Sequence, residues 1–305
     1  MKKISLIIIS LFLLSCLVTF LVFPDYTKTT ITEVLTLWLT KVLVSLVPFY
    51  LVSNLLVQFP FVSKILYFPL NKIMHFENQK ACSLFLLSFI TGNPTSSFLI
   101  ITSIDQGISK QEGMRLLKGA VLNSPLFTIV MMPKPYGYLV YFIQVFVSIF
   151  LYIINKPKQE IALAQANKTN ISSIITIIDN CPNVMLSILG SMLFVSTIKI
   201  PLYLLISKGS TIINNTIITT IFYFFLDSFE LTTGLSNIMT YNVSLFVKLL
   251  LCAFLMSFGG IAINVQIMSE LKKTSFQKTS LLVPRLIHGL ITALIFGLVI
   301  VIFFH

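Results

Sequence analysis

Four polar interruptions stand inside otherwise apolar runs, and their residue types set the chemistry on offer. The first is Gly92-Asn93-Pro94-Thr95-Ser96-Ser97. Thr95, Ser96 and Ser97 bring hydroxyls to the start of a helical arm, where free N–H groups and a partial positive charge favour an acceptor or an anion. The same hydroxyls could instead cap that arm. The second, Asn123-Ser124-Pro125, places a side-chain amide and a hydroxyl where proline unsettles helical hydrogen bonding, either as a binding point or as a packed kink. The third is Glu230-Leu231-Thr232-Thr233-Gly234, with Asp227 three residues earlier. An acid at membrane depth is costly and marks binding or ion handling, whereas an acid at the membrane interface does neither. Gly259-Gly260, followed by Asn264 and Gln266, is the fourth, either a second hairpin tip or a close helix contact. Near the start of the last apolar run, Arg285 could clamp a carboxylate in a bidentate way or anchor a cytoplasmic helix end.

These groups suit binding rather than covalent catalysis. The chain lacks HExxH, GxSxG and Walker patterns, and its three histidines are His75, His288 and His305. The four cysteines, Cys16, Cys82, Cys181 and Cys252, form no CxxC and read as small buried hydrophobes. No enzyme activity, metal site or cofactor is expected.

The elements that must position these residues follow from composition. Of 305 residues, 56% are hydrophobic and only 10% charged, and mean hydropathy is +0.95. A soluble domain is roughly a quarter charged. The expected fold is an all-α polytopic membrane protein, one membrane domain over residues 1–305, with about seven to nine transmembrane helices. The net charge of +11 sits in short loops between apolar runs, as the positive-inside rule requires, so the lipid bilayer and not nucleic acid is the expected partner. Met1-Lys2-Lys3 opens an apolar run to Phe23 with no polar mature start after Cys16, which reads as an uncleaved first helix.

Along the chain, residues 25–30 read as a short polar loop and 31–59 as a second helix containing Lys41 and Pro48. Residues 62–80 form an amphipathic surface segment. The two arms of 81–104 are each too short to cross a bilayer. Lys64, Lys72 and Lys80 precede it, and Lys110, Arg115 and Lys118 follow it. A re-entrant hairpin entering from the cytoplasm keeps both clusters on one side. Ser109–Glu112 is a capping box opening a helix over 110–132, and 136–154 is a further helix. Residues 155–170 make the longest polar loop. The second half is expected to hold helices near 184–206, 211–229, 244–258 and 281–304, with a break at Asn180-Cys181-Pro182. Lys199 and Lys208 mark one end of it, and Lys272, Lys273 and Lys278 another.

Phe85-Leu86-Leu87-Ser88-Phe89 recurs as Phe254-Leu255-Met256-Ser257-Phe258, and Arg115-Leu116-Leu117-Lys118-Gly119 as Arg285-Leu286-Ile287-His288-Gly289. The shared register suggests two structural repeats, and paired broken segments in two halves point to a transporter's binding site.

The order of Ser45-Leu46-Val47-Pro48-Phe49, Gly92–Ser97, Ile108–Glu112, Arg115-Leu116-Leu117, Asn123–Phe127, Glu230–Gly234, Ser257–Gly260 and Arg285–Gly289 resembles the sporulation integral membrane protein family of YlbJ type. The resemblance covers most of the chain after residue 40. It implies a nucleoside-recognition (gate) domain of paired hairpins and unwound helices, and the movement of a small aromatic dianion, dipicolinate, across a membrane. Asn93, Ser96 and Phe98 stand where the family pattern has Tyr or Phe, a second Gly and Lys. Divided on that plan, residues 1–80 hold N-terminal helices and the surface segment, 81–155 a first gate-like repeat, and 171–305 a second half with its repeat at about 244–304.

The expectation is therefore a multi-pass carrier for a small polar or anionic solute, in a bacterial plasma membrane. It would use a coupling proton or Na⁺, and a homo-oligomer is compatible with it. A non-transporting membrane subunit that needs a partner, and a membrane enzyme, stand as alternatives.

Overall fold

The computed structural model describes residues 2–56, 61–104, 107–120, 122–156, 174–213, 215–272 and 281–303, and the regular structure among them is helical. Among the described residues, six helical stretches are long and apolar enough to cross a membrane, by length and composition: Ser5–Val22, Pro24–Leu56, Tyr136–Ile154, Ile177–Gly209, Leu245–Lys272 and Leu282–Phe303. The count among the described residues is below the expected seven to nine because apolar runs such as Gln79–Thr91 and Thr216–Asp227 fold as short helices instead of single spans. Parts of the 155–170 loop, Lys273, Lys278 and His305 lie outside the described residues.

The N-terminal part contains α1 (Lys2–Val22), α2 (Pro24–Leu37), a π-helical stretch (Trp38–Leu43) and α3 (Val44–Leu56). Pro24 sits in the first turn of α2, where its missing N–H costs nothing. Residues 25–30 are therefore helical and not the expected loop. Pro48 cannot donate to the turn before it, and the wider π turn lies just upstream.

Then follow α4 (Phe61–Met74), α5 (Gln79–Thr91), α6 (Thr95–Ser103), α7 (Lys110–Gly119), α8 (Pro125–Met131) and α9 (Tyr136–Ile154). The α5–α6 pair is closed at its base. The Asn78 amide donates to the Gly107 carbonyl at 2.7 Å, and the Ser109 N–H to Glu77 Oε2 at 2.9 Å. Only half of the capping box forms: Ser109 Oγ accepts from the Glu112 N–H, while Glu112 turns into the interior. The helix expected over 110–132 is two helices. Pro125 starts α8 under a Ser124 cap and does not kink a continuous rod.

The second half begins with α10 (Ile174–Ile213), which runs unbroken through Pro182 and Pro201, so the expected break at Asn180–Pro182 is absent. After it come α11 (Thr216–Asp227), α12 (Leu231–Ile238), α13 (Leu245–Phe258), α14 (Gly260–Lys272) and α15 (Leu282–Phe303). One apolar cluster joins Leu231, Leu235 and Ile238 of α12 to α9, α10, α13 and α15. The other gathers Met74, Phe76, α5, α6, α7 and Tyr152 with Ile267 and Leu271 of α14. The base of the α5–α6 pair adjoins the second cluster through Phe76 and Ile108.

Candidate functional site

At the α5–α6 turn, Gly92 has φ +72°. A Cβ there would lie 2.2 Å from the backbone nitrogen of Ser124, so the turn touches the chain between α7 and α8. The Asn93 N–H donates to the Leu122 carbonyl at 2.6 Å and fixes that contact. Asn93 Oδ1 accepts from Ser97 Oγ at 2.8 Å. Thr95 and Ser96 are buried, and their hydroxyls have no hydrogen-bond partner. No side chain caps α6 at Pro94. The capping alternative therefore does not describe this turn, and two hydroxyls remain unused beside it.

The α11–α12 turn is built differently and arrives at the same place. The Glu230 carboxylate caps α12, accepting from the Thr232 N–H at 3.0 Å and the Thr233 N–H at 2.6 Å. Ser228 and Phe229 carbonyls accept from Ile261 and Ala262, at 2.9 and 2.8 Å, in the first turn of α14. Gly259 and Gly260 have φ of +83° and +73°, which lets the α13–α14 chain bend where L side chains are strained. Asn264 holds the bend, donating to the Phe258 and Gly260 carbonyls at 3.1 and 2.6 Å. Glu230 is buried, which removes the alternative of an acid in interfacial water. Replacing it with alanine should cost about 1–2 kcal/mol through loss of the cap, read as a lower Tm in detergent.

The two turns and the two breaks converge. Asn123 Nδ2 donates to the Met256 carbonyl, tying the α7–α8 break to α13. A cavity of about 30 Å³ is lined by Asn93, Asn123, Ser124, Glu230, Thr232 and Gln266, with Val42, Leu46 and Ile188 among its apolar walls. The space has room for water and is far too small for a nucleoside-sized solute. The sequence reading missed Ser191 of α10, which lines the cavity and accepts from the Gln266 amide. Nothing in its local sequence marks it, because an unbroken helix carries it there.

Other expected site residues lie elsewhere. Thr233 faces a separate, larger cavity. Gly259 has open space around the position of a Cβ and shapes the backbone only. Asn264 serves the α13 end. Arg285 is buried in α15, one turn from His288, and neither lines the central cavity. The polar groups around them bridge helices: Ser148 Oγ lies 3.0 Å from His288 Nε2, and the Gln144 amide donates to Ser257 Oγ at 2.9 Å. Arg285 is therefore no surface anchor.

The larger cavity, about 1170 Å³, lies between α2, α10, α11 and α12. Its floor centres on Asp227, which accepts hydrogen bonds from Tyr203, Tyr241 at 2.6 Å and Asn237 at 2.9 Å. Lys199 Nζ lies 3.6 Å from the same carboxylate. Lys199 and Asp227 come from positions 28 residues apart, a pairing that no local motif signals.

Comparison with protein-family models, with curated proteins and with solved structures finds no match to this chain.

Proposed function

We propose that the chain is a multi-pass carrier for a small polar or anionic solute, nucleoside-like or dipicolinate-like, working by alternating access around the central cavity. One observation carries this reading: two helical turns, the α7–α8 break and α14, far apart in sequence, deliver Asn93, Asn123, Ser124, Glu230, Thr232 and Gln266 to one cavity. Irregular backbone at membrane depth is tolerated where it is packed in protein or lines a cavity, and broken helices in two halves are a common way to build a carrier site. The resemblance to the sporulation family of YlbJ type, and location in a bacterial plasma membrane, belong to the same proposal.

On this reading α5–α6 and α11–α12 are re-entrant hairpins from opposite membrane faces. Asn93 and Glu230 stand 137 residues apart, as do Asn123 and Gly260. That spacing supports two inverted repeats, each a hairpin, a broken helix and a long helix. It differs from the register of the Phe-Leu-x-Ser-Phe match, which pairs a hairpin arm (α5) with half of a broken helix (α13). Lys64, Lys72, Lys80, Lys110, Lys156 and Lys272 favour the α5–α6 base as the cytoplasmic end. Glu230 is the group offered to a coupling proton or Na⁺.

Orientation has its own test. The four native cysteines are buried, whereas Lys156 and Asn242 are exposed. Asn242→Cys should react with an impermeant maleimide from outside intact cells, and Lys156→Cys only after lysis. Labelling of both from one side would overturn the inverted arrangement.

The function is tested by uptake of nucleosides, dipicolinate and related small acids into proteoliposomes. Wild type should accumulate one class, and Asn123→Leu, which fills the cavity, should lower initial uptake at least tenfold with thermal unfolding retained. No accumulation of any solute by well-folded wild type would defeat the carrier reading. A partner co-purifying in fixed ratio would then favour the non-transporting subunit.

A further inference from the structure

Three residues lining the large cavity between α2, α10, α11 and α12 carry buried polar atoms that make no hydrogen bond within the protein. Ser196 Oγ, Lys199 Nζ and Thr233 Oγ1 belong to residues 5%, 4% and 8% exposed, and none makes a hydrogen bond. All three residues line that cavity. Ser196 and Lys199 are one turn apart on α10 and share a helix face, and Thr233 lines the same cavity from the first turn of α12.

The neighbouring acid does not use these donors up. Asp227 is fully buried and already accepts hydrogen bonds from Tyr203, Tyr241 and Asn237. At 3.6 Å, Lys199 balances its charge without donating to it. Buried polar groups without a hydrogen bond are costly, so three residues that carry them in the lining of one cavity mark where a ligand's oxygens would sit.

Charge selects the ligand. Lys199 and Asp227 cancel on the floor, and the other charges of the lining, Asp25, Lys28 and Glu33, are exposed near the mouth. An anion would approach Asp227 with no uncompensated cation to meet it, and a cation would approach Lys199. An uncharged solute pays neither cost. Hydroxyls both donate and accept, which suits one ammonium and two hydroxyl groups. Elsewhere the lining is largely threonine, asparagine and tyrosine. From these observations we infer that the floor of this vestibule is a binding site for a small, uncharged polyhydroxyl solute of the sugar type, held by Lys199, Ser196 and Thr233. The site is separate from the central cavity; only the step that follows capture rests on the carrier reading.

The test uses the full chain in detergent and matched probes: glucose, glucuronate and glucosamine, and ribose against ribose 5-phosphate, read by calorimetric titration. The uncharged member of a series should bind at least tenfold tighter than its charged counterparts. Thr233→Val and Ser196→Ala leave the Lys199–Asp227 pair intact, and each should weaken that binding several-fold. Lys199→Met should abolish it, with the two milder variants guarding against a folding defect. Binding led by the charged probes, no binding of any uncharged probe, or wild-type affinity in both milder variants overturns the assignment. Asn123→Leu separates the two readings. Binding that depends on Thr233 and survives in Asn123→Leu, with no uptake by wild type, sinks the carrier and keeps the vestibule site. Uptake that depends on Asn123 with no vestibule binding does the reverse.

Discussion

Arg115→Leu is expected to destabilise the protein by about 3–5 kcal/mol, the usual cost of removing one partner of a buried charged network. Arg115 is almost wholly buried and joins three elements. Its Nε donates to the Tyr152 carbonyl at 3.0 Å, Nη1 to the His75 carbonyl at 2.8 Å and Nη2 to the Met74 carbonyl at 2.6 Å. These acceptors stand at the C-terminal ends of α4 and α9, where carbonyls lack helical partners and a cation is favoured. The guanidinium also lies 3.8 Å from the centre of the Tyr152 ring and 3.4 Å from Glu112 Oε2. Leucine would strand three carbonyls and one carboxylate together. For a chain of this size the loss should lower Tm by about 10 °C or more. Arg115→Lys should recover only part of it, because one ammonium cannot span the fork.

The deficit should depend on pH. Burial raises the Glu112 carboxyl above the ordinary carboxylate range, even with the Tyr152 hydrogen bond and the Arg115 charge pulling it down. Without Arg115 it rises further. A raised folded-state value means that stability is present at low pH, below the unfolded value of about 4.3, and is lost as pH rises through the folded value. Arg115→Leu should therefore fall furthest behind wild type at neutral and alkaline pH and least near pH 5. A Tm within 2 or 3 °C of wild type across that range, roughly 1 kcal/mol or less, would show that the network is not what holds these helix ends.

Gly92→Ala should be the most damaging single change to the proposed site. The backbone there has φ +72°, and the new methyl would lie 2.2 Å from a main-chain nitrogen. A flexible side chain could swing aside, but the Ser124 backbone cannot, since Ser124 caps α8 and its neighbour Asn123 is tied to α13. The α5–α6 turn must then lift from the break, moving Asn93 and opening one wall of the cavity. We expect initial uptake to fall more than tenfold. Gly259→Ala is the matched control: it has positive φ but open space, so only backbone strain of about 1–2 kcal/mol applies. If Gly92→Ala transports like Gly259→Ala, the contact between the turn and the break is not part of the machinery.

Composition and hydropathy pattern alone determined the all-helical, membrane-spanning class, because covering backbone polar groups in lipid leaves few other solutions for long apolar runs. Gly92–Ser97, Asn123–Pro125, Glu230–Gly234 and Gly259-Gly260 were legible as interruptions, since glycine, proline and hydroxyl residues leave a local signature at the backbone they disturb. Proline was the least reliable of these signals: Pro24 and Pro125 begin helices, and Pro182 sits inside one. A ring without an N–H is harmless wherever no donor is needed, and only the surroundings say where that is. Tertiary structure alone decided that Asn93 and Glu230 share a cavity, that Arg285 does not, that Ser191 and Gln266 complete the wall, and that Lys199 meets Asp227. Those pairings arise from helix packing and side-chain direction over long sequence separations, and a local pattern records which groups are present but not which of them the packed helices bring face to face.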